Sequence, residues 1–151
     1  MTDVVSKITR SKMMSGIRGK NTVPELIIRK GLHSKGFRYR LHYKKLPGKP
    51  DIVLPANKAI VLVNGCFWHG HNCHLFKWPS TNAEFWKDKI TNNKRRDDLN
   101  IALYMDRGWK VLIVWECCLR GRARWPVASV LDLIAEWIRD GQGFKEIMGT
   151  V

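Results

Sequence analysis

The sequence predicts an α/β protein, a mixed β-sheet flanked by helices, on two observations. Apolar residues recur at helical spacing in some segments and in short alternating or continuous runs in others. These segments follow one another as helix, three strands, helix, strand, helix, an order that closes most simply as one sheet with helices packed against it. The chain has 151 residues, a length that favours a single core. The reading is a basic arm over residues 1–20, shaped to embrace a partner, and one domain over 21–151.

Thr22-Val23-Pro24-Glu25 reads as a capping box with Pro in the first turn, opening a helix that runs to about Lys35 and stops at Gly36. Residues 37–43, FRYRLHY, alternate at period two and predict a strand with one wet face. The turn Leu46-Pro47-Gly48-Lys49-Pro50 delivers Asp51-Ile52-Val53-Leu54 as the next strand. After a second turn at residues 55–58, Ala59 to Val63 is almost wholly apolar, as a strand covered on both faces should be, and the two strands predict a hairpin. Residues 64–79 are too rich in Gly, His and aromatics for a regular element. Thr81-Asn82-Ala83-Glu84 reads as a second capping box, opening a long polar helix to about Asp106 with Gly108 beyond it. Trp109 to Trp115 is another buried strand. Val127, Val130, Leu131, Ile134, Trp137 and Ile138 share one face of a final amphipathic helix.

Composition narrows the partner. The formal net charge is +14, and residues 1–50 hold 13 of the 27 Lys and Arg with only Asp3 and Glu25 as acids. Residues 7–20 carry five cations and no acid, so they read as an arm that orders on a polyanion. Seven Trp add ring surface for stacking, which favours nucleic acid over a membrane. Trp109, Trp115 and Trp137 fall in apolar runs and read as core. Without an apolar leader or a run of about 20 apolar residues, the chain is expected to be soluble and cytoplasmic, where thiols stay reduced. The four cysteines then ask for a role other than disulfides.

The richest segment is Gly65-Cys66-Phe67-Trp68-His69-Gly70-His71-Asn72-Cys73. Cys66, His71 and Cys73 offer three ligands to one tetrahedral Zn²⁺, and Cys117, just past the buried strand, supplies a fourth. His74 is an alternative to His71, and Cys118 to Cys117. A closed site of this kind is structural, fastening an irregular loop to the sheet. Any one of these thiols alone would read as buried packing; the set favours metal.

Asp51, at the mouth of its strand, offers a hard oxygen ligand for Mg²⁺. His69 stays free on the neighbouring loop, able to take a proton from water attacking a phosphate. Phe67 and Trp68 sit between zinc ligands, placed to wedge between base pairs where stacking is already weak. Trp86, Lys89, Ile90 and Asn93 share a helix face able to stack on and read bases.

At these residues the chain resembles the very short patch repair (Vsr) endonucleases, bacterial Mg²⁺-dependent enzymes that nick DNA beside T:G mismatches left by deamination of 5-methylcytosine. The likeness runs from Thr9-Arg10-Ser11-Lys12 through Leu46 to Asp51, Gly65 to His69, Glu84-Phe85-Trp86 and Val111 to Cys117, and on to Leu119-Arg120-Gly121-Arg122. The resemblance implies a restriction-endonuclease-like fold in which Asp51 binds catalytic Mg²⁺ with the backbone carbonyl of Val63. It implies His69 as general base, Glu25 as an auxiliary acid acting through water, and Cys66, His71, Cys73 and Cys117 as the structural zinc site. Phe67, Trp68 and Trp86 match aromatics that intercalate from the major-groove side, Met14 an apolar wedge from the minor groove, and Lys89 and Asn93 mismatch-reading residues.

One departure stands out: a known member has Thr-His where this chain has Val63-Asn64. Asn64 can donate a hydrogen bond but cannot shuttle a proton at neutral pH. The implied partners are double-stranded DNA with a T:G mismatch and mismatch-repair proteins, with no membrane, and the chain is expected to act as a monomer. The rival readings are a restriction-type endonuclease of the same fold with another target, and a zinc-stabilised DNA-binding protein without catalysis.

Overall fold

A computed structural model of the chain describes residues 21–150. The arm and Met14 lie outside the described residues. Helix α1 (Val23–Ser34) is followed by strands β1 (Arg40–Leu41), β2 (Ile52–Leu54) and β3 (Ala59–Asn64), helix α2 (Ala83–Asp106), strand β4 (Lys110–Trp115), helix α3 (Val127–Asp140) and strand β5 (Phe144–Ile147). The sheet runs β1-β2-β3-β4-β5. Its first three strands pair antiparallel, with Ile52 opposite Val61 in the expected β2–β3 hairpin. From β3 onward the pairing is parallel, Val63 opposite Val114 and Val114 opposite Ile147, so α2 and α3 are the crossover helices.

Side-chain alternation divides the core. Ile52, Leu54, Ala59, Val61, Leu112 and Val114 turn to one face, where they meet Ile28 and Leu32 of α1 and Val130, Ile134, Trp137 and Ile138 of α3. Val53, Ile60 and Val111 turn to the other face, under Tyr104 of α2. The result is the expected mixed sheet flanked by helices. No helix among the described residues is long and apolar enough to cross a membrane.

Several elements differ from the sequence expectations. The strand over 37–43 shrinks to Arg40–Leu41 because His42 adopts a left-handed backbone, φ 46°, which ends the extended run. The capping box at Thr22 forms by half: its hydroxyl accepts the Glu25 N–H at 3.4 Å, but the Glu25 carboxylate turns elsewhere. The box at Thr81 does not form. Asn82 stands at the cap with φ 57° and no side-chain hydrogen bond, and the exposed helix end leaves its free N–H groups to water. Strand β5 is an addition; as four residues with only Ile147 buried, it carries little apolar signal. Trp115 and Trp137 are core, whereas Trp109 is only half-buried, with the Lys58 ammonium 4.4 Å from its ring centre.

The turn before Asp51 is tied to α2. The Tyr104 hydroxyl donates to the Pro47 carbonyl. Gly48 takes a left-handed backbone, φ +76°, which favours glycine, and a side chain there would displace the Asn100 amide, 2.3 Å from where its Cβ would sit.

Candidate active site

Asp51 sits where β2 opens, one residue before its first paired position. Its Oδ2 accepts the backbone N–H of Val63 at 2.9 Å. Burial pushes this carboxyl from its ordinary value of 3.8 to about 6, and the nearby Glu25 charge adds to the rise; the Val63 N–H, His42 and His69 pull against it. A cleft of about 840 Å³ opens in front, lined by Asp51, Val63, Asn64, Phe67, His69 and Asp97 among others.

His69 stands on the loop after β3. Its Nδ1 pairs closely with the Asp97 carboxylate of α2, both side chains about a quarter exposed. Asp97 is absent from the residues singled out in the sequence, where Arg95-Arg96-Asp97-Asp98 looks like a solvated helix face. Asn64 is buried at the end of β3 and lines the same cleft. Behind Asp51, Glu25 is 2% exposed. Its carboxylate accepts the Asn21 N–H at 2.6 Å, faces Arg29 at 3.5 Å and lies 2.9 Å from Nε2 of His42.

The four expected zinc ligands converge. Cys66, His71, Cys73 and Cys117 place their ligand atoms within 4.8 Å of one another. His71 Nδ1 lies 3.6 Å from both Cys66 Sγ and Cys117 Sγ. A tetrahedral ion with bonds of about 2.3 Å to sulfur and about 2.0 Å to nitrogen would space such a pair by roughly 3.5 Å. The site therefore fits a metal of this geometry. Burial pushes the Cys66 and Cys117 thiols up, and lowers His71, which favours the neutral imidazole a metal requires. His71 stacks on Trp115 at 4.2 Å, which orients its ring. Cys118 instead lies in the main core with its thiol pushed up to about 12 by burial, and His74 stands outside the cluster.

The loop is fastened further by Glu116, which the sequence reading passed over. Its carboxylate accepts the Cys66 N–H at 3.1 Å and the Arg120 guanidinium at 2.8 Å. The Gly149 N–H reaches Cys117 Sγ at 3.3 Å across a gap no side chain at 149 would leave open.

At the cleft's rim the aromatics cluster. Phe67 lies 5.3 Å from both Trp68 and Trp86, and Trp68 lies 5.6 Å from Trp86, in edge-on and tilted contacts. All three are half-buried. On the α2 stripe, Ile90 is core, Lys89 is half-buried, and Asn93 donates to the Trp68 carbonyl at 2.9 Å, holding that ring's backbone.

Comparison with known proteins agrees with this geometry. The family model described as DNA mismatch endonuclease Vsr matches residues 2–75. The DNA mismatch endonuclease Vsr of Escherichia coli K12 is 42% identical over 138 residues, covering 91% of this chain and 88% of the relative. The type II nicking enzyme V.XorIIP of Xanthomonas oryzae is 45% identical over 134 residues, 87% of this chain and 98% of the relative. V.NmeAIP of Neisseria meningitidis, also a type II nicking enzyme, is 46% identical over 123 residues, 82% of this chain and 88% of the relative. By sequence likeness over most of its length, and with the Cys/His cluster and the cleft in place, the chain belongs to the Vsr family of DNA mismatch endonucleases.

Proposed function

We propose that this strand-nicking endonuclease has a restriction-endonuclease-like fold, requires Mg²⁺, and cuts one strand of duplex DNA beside a T:G mismatch arising from 5-methylcytosine deamination. The observation that carries the reading is one cleft lined by both a buried carboxylate, Asp51, and a carboxylate-paired imidazole, His69, with an edge-on aromatic cluster at its rim. Asp51 and the Val63 carbonyl would hold the catalytic Mg²⁺, which supplies charge stabilisation at the phosphate when bound. Zn²⁺ is the structural ion for Cys66, His71, Cys73 and Cys117.

The protein groups divide the remaining work. Asp97 at Nδ1 keeps the His69 proton on that nitrogen, so Nε2 carries the lone pair that takes a proton from attacking water. Glu25, buried behind Asp51, assists through water. Asn64 donates a hydrogen bond beside the scissile phosphate. Phe67, Trp68 and Trp86 enter the weakened base stack, Lys89 and Asn93 read the mismatch, and Met14 on the basic arm wedges from the opposite groove.

The test is a labelled duplex with one T:G mismatch beside its T:A control, each with Mg²⁺. A nick confined to the mismatched duplex supports the proposal. Equal cleavage of both selects a restriction-type enzyme, and tight binding without cleavage selects a non-catalytic binder. Asp97→Asn is expected to slow nicking on the order of 10²–10⁴-fold, because an amide can present its N–H to Nδ1 and favour the wrong imidazole tautomer. Duplex affinity should hold within about twofold, since no base or phosphate contact is removed. Unchanged single-turnover rates would show that Asp97 does not orient the base.

A further inference from the structure

Behind the cleft the fold gathers a second set of metal-competent groups. Glu25 of α1, His42 just past β1 and Asp51 before β2 bring two carboxylate oxygens and an imidazole nitrogen within 4.8 Å of one another. Each is held from its own element. Glu25 Oε2 is engaged by the Asn21 N–H and Arg29, leaving Oε1 to His42 Nε2 at 2.9 Å. Asp51 Oδ2 is engaged by Val63. His42 is fixed by its left-handed backbone and by its N–H donating to the Asp51 carbonyl at 3.1 Å. A branched or bulky residue would be strained at that φ, whereas His is among the few that tolerate it.

The geometry suits an ion. His42 Nε2 and Glu25 Oε1 are hydrogen-bonded at 2.9 Å, and an ion would replace that bond with little movement, because an octahedral dication with bonds of about 2.1 Å sets neighbouring ligand atoms roughly 3 Å apart. Two buried carboxylates side by side repel, and a dication between them removes that repulsion. The imidazole decides which dication. Mg²⁺ prefers oxygen and water, whereas first-row transition metals accept a nitrogen donor readily.

We propose that Glu25, His42 and Asp51 form a mixed oxygen and nitrogen cation position, sharing Asp51 with the nicking centre, that selects a transition-metal dication such as Mn²⁺ over Mg²⁺ through His42. The proposal rests on the reading of Asp51 as a metal ligand and adds to it a donor from β1's end, with Glu25 a direct ligand when this position is filled and acting through water when it is not.

The probe is Mn²⁺ alone, added to full-length, zinc-replete protein and followed by loss of the free-ion EPR signal. Electron spin echo modulation from ¹⁴N is recorded on the bound ion. Wild type should show ¹⁴N modulation that persists in His69→Ala and disappears in His42→Gln. Mn²⁺ affinity should fall about tenfold in His42→Gln while Mg²⁺ affinity, measured by competition, changes less than about twofold. Because the ¹⁴N signal is read on the unmodified chain and on His69→Ala, it stands apart from how well His42→Gln folds. Bound Mn²⁺ without ¹⁴N modulation, or with equal affinity in wild type and His42→Gln, overturns the proposal and leaves the Asp51 reading intact. Mn²⁺ binding unaffected by Asp51→Asn, or no binding to wild type, overturns both.

Discussion

Asp51→Asn is expected to abolish nicking, by about 10³-fold or more in single-turnover rate, while making the metal-free protein more stable. The two effects share one cause. Burial raises the Asp51 carboxyl to about 6, so the folded chain at neutral pH holds a charge that its surroundings disfavour. The gap from 3.8 amounts to a cost on the order of 3 kcal/mol, of which neutralisation should recover about 1–3 kcal/mol. The pH sign follows. A raised carboxyl weakens the fold fully above about pH 6, and the penalty fades as the folded chain takes up its proton between about 6 and 3.8. The Asn variant should therefore gain roughly 3–10 °C in thermal midpoint at pH 7.5, with a smaller gain near pH 4.5. Thermal melts in chelator at the two pH values check this. Wild-type nicking by the variant, or no gain at pH 7.5, would contradict the assignment.

The second large effect concerns the Cys/His cluster. Zinc analysis of purified protein is expected to find one ion per chain, and Cys66→Ala or Cys117→Ala well under one. Losing the ion should lower the thermal midpoint by about 10 °C or more, since without it the 66–73 loop is held to the end of β4 chiefly by the Glu116 hydrogen bond to the Cys66 N–H. Loading the metal-free protein should release protons, because burial keeps the Cys66 and Cys117 thiols protonated until a cation takes their place. Cys118→Ala is the control. That thiol lies in the main core, on the other side of the sheet, so its loss should cost packing while leaving zinc content unchanged. Equal zinc loss in Cys118→Ala would mean the ligand set is misassigned.

Much of the frame was legible because it is written in local periodicity. The apolar runs of β3 and β4 and the stripe of α3 report burial directly, and the Pro-Gly turn before Asp51 reports a change of direction. The exceptions are places where a tertiary contact outweighs a local preference. His42 ends β1 early by leaving the extended region, Asn82 replaces a capping box with a left-handed turn, and β5 is held by β4 rather than by its own apolar content.

The site divides along the same line. Asp51, His69 and the Cys66, His71 and Cys73 cluster announce themselves by residue type and close spacing. Asp97, Glu116 and His42 do not, because each sits in an ordinary polar stretch and gains its role only from a neighbour far along the chain. The sequence by itself determined four of the five strands, the helices and the candidate members of the Cys/His cluster, since side-chain chemistry and period are local properties. The tertiary structure alone decided which carboxylate pairs with His69, which of two adjacent cysteines joins the Cys/His cluster, and that His42 meets Glu25 beside Asp51, since those depend on how crossovers and strand pairing bring distant segments within a few ångströms.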